Sequence, residues 1–244
     1  MHPARYLELL RSEGDALAAA AERDLKAPVP SCPEWDMAAL VRHTSQVHRR
    51  RAGVVRRRSI EPPEGIEGDP GPEDDDIVAW YREGLDELLD AFSEAGPDAP
   101  AWTWHGENNV AFWMRRMTQE TAVHRWDAEN AIGAANDIDA ELASDGIDEF
   151  LDKFIPFDEI PYRGGAGTVH LHCTDVKGEW TVTLAPGAVP THERGHSKGD
   201  AAVRAAANRL LLWVWRRIDS SAVEVLGDAG LAEAFWRYAE GPAQ

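Results

Sequence analysis

Apolar residues recur at helical spacing in four stretches of the first 132 residues. Tyr6, Leu9, Leu10, Leu17 and Ala20 predict a helix within 3–24, after which Pro28, Pro30 and Pro33 impose an extended loop. Asp36 is placed to cap a second helix, whose apolar side carries Met37, Leu40, Val41, Thr44 and Val47 and which should run to about Arg57. Ile77, Trp80, Tyr81, Leu85, Leu88, Leu89 and Phe92 mark a third helix that stops at Gly96–Pro97. The fourth and longest, from about Asn108 to Ile132, contains Phe112, Trp113, Met117, Val123 and Trp126. Residues 59–76, rich in Pro, Gly and acid, read as a long loop between the second and third. Four helices of these lengths predict a bundle.

The pattern changes after a shorter helix near 139–154. The segment IPFDEIPYRGGAGT concentrates Pro and Gly as a domain edge does, which places a boundary near residue 160 and gives domains 1–158 and 159–244. TVHLHCTD and EWTVTLAP then alternate as two strands joined by a short turn at Lys177–Gly178. GDAAVRAAANRLLLWVWRR reads as helix, AVEVLGD as a further strand, and 229–240 as a last helix. The expected class is α+β, a helical bundle followed by a small α+β domain.

Charge narrows the partners. With 25 basic and 43 acidic residues the formal net charge is −18, which repels a nucleic-acid backbone, so nucleic-acid binding is not expected. The run RRRAGVVRRR at 49–58 is a local exception, but eight acidic residues between Glu61 and Asp76 follow it, and it reads as a solvated helix end neutralised by the acidic loop. No 18-residue apolar run occurs and the first 25 residues mix charges throughout, so neither a membrane span nor a signal peptide is expected, and a cytoplasmic location is. Cys32 and Cys173 stand far apart without a CxxC partner, which suggests reduced thiols and no thiolate metal site.

One feature of the fourth helix departs from ordinary core patterning. At 3.6 residues per turn Trp113, Met117, Glu120, His124, Ala128 and Ala131 fall on one stripe, so a carboxylate and an imidazole one turn apart interrupt an apolar face. Such a carboxylate must be paired or bind a cation. The second helix adds His43 and His48 near its apolar side, and an antiparallel neighbour brings either opposite the Glu120/His124 pair. Two readings stand on these residues alone: an open His₂Glu metal site, and a Glu–His hydrogen bond satisfied within the core. Asp127 is a candidate acceptor that orients an imidazole. His170 and His172 share one strand face but have no acidic or Cys residue at matching spacing, and read as surface histidines; His192 and His196 fall in a polar loop without an assigned role.

The segments PVPSCPEWDMAALVRHTSQVHR and MTQETAVHRWDAENAIG resemble the two signature stretches of the mycothiol-dependent maleylpyruvate isomerase family, a branch of the DinB-like metal-binding four-helix bundles found in actinobacteria. GDAAVRAAANRLLLWVWRR resembles the helix of that family's smaller C-terminal domain, so the likeness extends over nearly the whole chain. It implies a divalent metal, zinc or another first-row ion, held by His43, Glu120 and His124, with His48 a spare candidate. It implies mycothiol as thiol cosubstrate, and Arg217 as a catalytic-site residue of the C-terminal domain; the family pattern has Gly before that Arg, where this chain has Arg216. The activity implied is addition of a metal-activated thiolate to an electrophilic C=C bond, followed by rotation and elimination (cis–trans isomerisation) or by release of a conjugate (S-transfer). The expected partners are a small-molecule electrophile and a low-molecular-weight thiol, with the chain a monomer or homodimer. A non-catalytic binding module and a thiol-independent metal-assisted hydrolase are the alternatives.

Overall fold

The computed structural model describes residues 1–64, 70–157 and 159–240. It divides into two compact units, Met1–Asn136 and Asp137–Gln244. The division expected after residue 158 falls on a position outside the described residues, and the units part earlier because the helix at Ala140–Glu149 packs on the helix at Ala207–Val214.

In the first unit four long helices form the bundle: α1 (Pro3–Ala21), α2 (Met37–Arg57), α3 (Ile77–Ala95) and α4 (Val110–Ala131). The caps explain where they start. Asp36 accepts from the Ala39 N–H at 2.9 Å and Asn109 from the Phe112 N–H at 2.9 Å, each satisfying a donor that has no partner within the helix. α1 packs on α4 and α2 on α3, with Leu17, Met37, Leu40, Val41, Ile77 and Tyr81 fully enclosed between them. The Pro-rich segment before α2 closes on itself: the Val29 N–H donates to the Trp35 carbonyl at 3.0 Å and the Met37 N–H to the Ala27 carbonyl at 2.9 Å. Residues 65–69 of the expected acidic loop lie outside the described residues. The arginines of the 49–58 run are drawn mainly to α3, Arg49 pairing with Glu83 and Glu87 and Arg58 donating to the Glu94 carbonyl.

The second unit opens with α5 (Ala140–Glu149), which continues through a π-helical turn at Phe150–Phe154. Five strands follow, β1 (Gly167–Cys173), β2 (Glu179–Leu184), β3 (Thr191–Arg194), β4 (Ala201–Ala205) and β5 (Glu224–Gly227), with α6 (Ala207–Val214) between β4 and β5 and α7 (Ala229–Tyr238) last. The sheet order is β3-β2-β1-β4-β5, antiparallel except for the parallel β1–β4 pair. The α+β class holds, with two local corrections. Residues 201–205, expected as the start of a helix, form β4: Ala201 and Val203 fill the buried face while the backbone pairs with β1 on one side and β5 on the other, and those ladders override alanine's helix preference. Residues 191–194, expected as loop, form the edge strand β3.

His48 shows how completely α4 encloses its polar partners. Thr121 donates its hydroxyl to the Met117 carbonyl at 2.7 Å, so at 2.9 Å it accepts from His48 Nε2–H, which fixes the neutral tautomer with Nδ1 buried and without a partner. Burial, with smaller contributions from His124 and His43 against Glu120, pushes His48 down to about 3. An unfolded histidine titrates near 6.5, so below that pH the unfolded chain takes up a proton that the folded chain refuses. This contribution to stability is intact above pH 6.5 and drains away as pH falls towards 3, by up to about 1.4 kcal/mol per pH unit. Urea midpoints followed from pH 7 to pH 4 should therefore fall more steeply in the native chain than in His48→Gln. Parallel slopes would mean that His48 is protonated inside the fold.

Candidate metal centre

Three side chains from two helices meet at one point in the bundle. Glu120 and His124 lie one turn apart on α4, and α2 brings His43 across to them. His43 Nε2 and His124 Nε2 each stand 3.5 Å from Glu120 Oε1, and one donor atom from each residue lies within 4.8 Å of the others. The spacing is informative. Charge-assisted N–H···O bonds contract to about 2.7–2.9 Å. A tetrahedral ion with bonds of about 2.1 Å holds its ligand atoms about 3.4 Å apart. Two imidazole nitrogens and a carboxylate oxygen at this separation therefore fit a divalent ion, with at least one coordination position left over.

The surroundings orient each ligand. His124 Nδ1 donates to Asp127 Oδ2 at 3.0 Å, and Asp127 Oδ1 accepts from the Ser31 hydroxyl at 2.6 Å, so the chain Ser31–Asp127–His124 directs Nε2 towards Glu120. Arg116 donates to Glu120 Oε2 at 2.7 Å and leaves Oε1 facing the histidines. Trp35, delivered by the closed loop before α2, has its ring centroid 4.7 Å from that of His43 and 6.4 Å from that of His124. Side-chain exposure rises from 9% at His124 through 21% at Glu120 to 37% at His43, so the centre opens on its α2 side.

The electrostatics favour an ionised pair. Burial alone would raise Glu120, but the neighbouring His124 and His43 and the charge of Arg116 outweigh it and hold the carboxyl well below the usual range. Burial alone would lower His124; Asp127 and Glu120 outweigh that and lift it to about 9. The carboxylate is thus kept as an anion, balanced by a His124 proton that an arriving cation would displace.

The other expected residues lie elsewhere. His48 points away to Thr121. Arg217 lies just beyond α6 in the second unit, donating to the Trp215 carbonyl at 3.0 Å. Its register has a structural rationale: Arg216 adopts φ of 63°, the left-handed region that glycine prefers. The Arg217 N–H then reaches back to the Leu212 carbonyl at 2.8 Å, a Schellman-type helix end. Arg216 thus occupies a position that glycine would fill without strain, its guanidinium resting 3.3 Å over the Trp236 ring. The sequence pattern does not single out Ser31, Trp35 or Arg116. The adjacency of PSCPEW to the capping Asp36 was the available signal.

Two family models match the sequence: the mycothiol maleylpyruvate isomerase N-terminal domain over residues 7–129, and the C-terminal domain of the same family over residues 141–234. Among solved structures, the mycothiol-dependent maleylpyruvate isomerase and a histidine-to-alanine mutant of it each match with a TM-score of 0.67 and 13% identity, over 92% of this chain and 93% of theirs. At that identity the likeness shows a common fold. A sec-alkylsulfatase from Pseudomonas sp. matches with a TM-score of 0.33, 15% identity and 32% of its own length, too little to carry an argument. No match was found among curated proteins.

Proposed function

Since this chain belongs to the mycothiol maleylpyruvate isomerase family, we propose that it is a metal- and thiol-dependent enzyme acting on a small electrophilic substrate, by cis–trans isomerisation or S-transfer. The observation that carries this reading is the 3.5 Å spacing of His43 Nε2 and His124 Nε2 about Glu120 Oε1. These three residues would hold zinc or another divalent ion, which when bound stabilises a thiolate at neutral pH. The chain's own groups supply the rest. Ser31 and Asp127 keep His124 in the tautomer that presents Nε2, Arg116 confines Glu120 to one free oxygen, and Trp35 shields the imidazoles from water. Arg217 is proposed to anchor carboxylates of the thiol cosubstrate or of the electrophile, for which a guanidinium fork suits. Among the described residues no helix is long and apolar enough to cross a membrane.

The test uses untagged protein, as purified and after zinc reconstitution, with mycothiol and a cis-configured α,β-unsaturated acid. Turnover should require both the metal and the thiol and disappear on chelation. Turnover that persists without thiol would replace this reading with a metal-assisted hydrolase. Tight ligand binding without turnover would replace it with a binding module, and absence of retained metal after reconstitution would end it.

A further inference from the structure

A second convergence of metal-ligating side chains lies on the sheet of the second unit. His170 and His172 occupy the same face of β1, and the β1–β2 register sets Glu179 directly across from His172. Glu179 Oε2 lies 3.1 Å from His170 Nε2, 3.4 Å from His172 Nδ1 and 2.6 Å from His196 Nδ1. Donor atoms of His170, His172 and Glu179 fall within 4.8 Å of one another, and the His170 ring centroid is 5.2 Å from that of His196. A carboxylate oxygen has two lone-pair directions, so three imidazoles cannot all be satisfied by Oε2, and three imidazolium rings would repel one another. A cation between His170, His172 and Glu179 would satisfy those three groups together, while His196 stays hydrogen-bonded to the same carboxylate.

The cluster is held by backbone on every side. The Gly195 N–H donates to the Glu179 carbonyl at 2.9 Å, and Asp200 accepts from both the Thr168 N–H and hydroxyl at 2.9 Å, so the segment carrying His196 is pinned to β2 at one end and β1 at the other. That segment passes so close to β1 that a Cβ on Gly199 would stand 3.2 Å from the His170 Cβ, and His170 is buried. Arg204, beside His172 in the β1–β4 register, is paired with Glu224 at 3.2 Å and leaves Glu179 to the histidines.

We propose that His170, His172 and Glu179 form a second metal site, independent of the bundle centre and selective for a divalent ion that prefers imidazole, of the zinc, nickel or copper class, with His196 bonded to Glu179 as its outer partner. Two imidazole nitrogens and one carboxylate oxygen do not suit calcium or magnesium. Joining β1 to β2, the ion would act first as a clasp on the sheet, and ligand linkage makes it raise the melting temperature.

The experiment titrates the full chelator-treated chain with Zn²⁺ by calorimetry and with Co²⁺ in the visible range. The native chain should bind two equivalents, the His43→Ala/His124→Ala variant one, and that remaining equivalent should weaken at least tenfold when His172→Gln/Glu179→Gln is added. His172 and Glu179 are only half-buried, so His172→Gln/Glu179→Gln in the otherwise native chain folds and should fall from two equivalents to one. Zn²⁺ should raise the melting temperature of the bundle variant. Binding that is untouched by His172→Gln/Glu179→Gln, or no binding to a folded bundle variant, would overturn the proposal. Failure of the bundle reading instead appears as loss of the other equivalent, with the His172/Glu179-dependent one retained.

Discussion

Replacing His124 by alanine is expected to remove one bound metal equivalent and the thiol-dependent turnover together, while leaving the bundle folded. The change deletes the imidazole whose Nε2 stands 3.5 Å from Glu120 Oε1 and leaves Arg116 bonded to that carboxylate. Altering even the outer partners of metal ligands costs about 10–100-fold in metal affinity. Loss of the imidazole itself should exceed that, whereas Asp127→Asn, which spoils only the direction of His124, should fall within it. Metal analysis by plasma mass spectrometry alongside the turnover assay decides the matter. If His124→Ala keeps its full metal content, the three residues form an internal hydrogen-bond cluster and the enzymatic reading of the bundle is lost.

The largest effect on stability is expected at the next residue. Arg125 is buried, with 4% of its side chain exposed, and it joins α1 to α4. Nε donates to Glu13 Oε2 at 2.6 Å, and Nη1 to Glu129 Oε2 at 2.8 Å and to the Asn136 carbonyl at 2.7 Å. Removing one member of a buried ionic group leaves its partners charged in a dry interior, at a cost of about 3–5 kcal/mol. Arg125→Met, which keeps the apolar stem, should therefore lower the melting temperature by roughly 10 °C. Adding Glu13→Gln and Glu129→Gln should recover most of the loss, because the stranded charges, not the missing contacts, cause it. A cost below about 1 kcal/mol in urea unfolding would show that water reaches these carboxylates and that they are not truly buried.

How much of this was visible beforehand depends on whether the signal is local. The i, i+4 pair Glu120/His124 and the capping Asp36 are written within single helices, and helical periodicity finds both. The pairing of Arg125 with Glu13 spans most of the first unit and leaves no local trace. β4 was misread because alanine-rich sequence favours a helix in isolation, while its strand conformation is imposed by β1 and β5. The His170/His172/Glu179 cluster lies between these cases. The strands and their turn were readable, and the Cys173 N–H bonded to the Gly178 carbonyl closes the hairpin so that His172 faces Glu179. Counting outward from the turn across the pair would have supplied the carboxylate that spacing along one strand did not contain.

The self-closed loop before α2 bears on the timing of ion capture. Ser31 and Trp35 are immobilised when the first unit folds, by bonds that involve no ligand, so the entropy of ordering them is lost once, at synthesis, and not again at each encounter with an ion. The centre is thus preorganised: arrival of a cation needs little more than displacement of a proton and of water, and the chain should present the same backbone to its substrates before and after it is loaded.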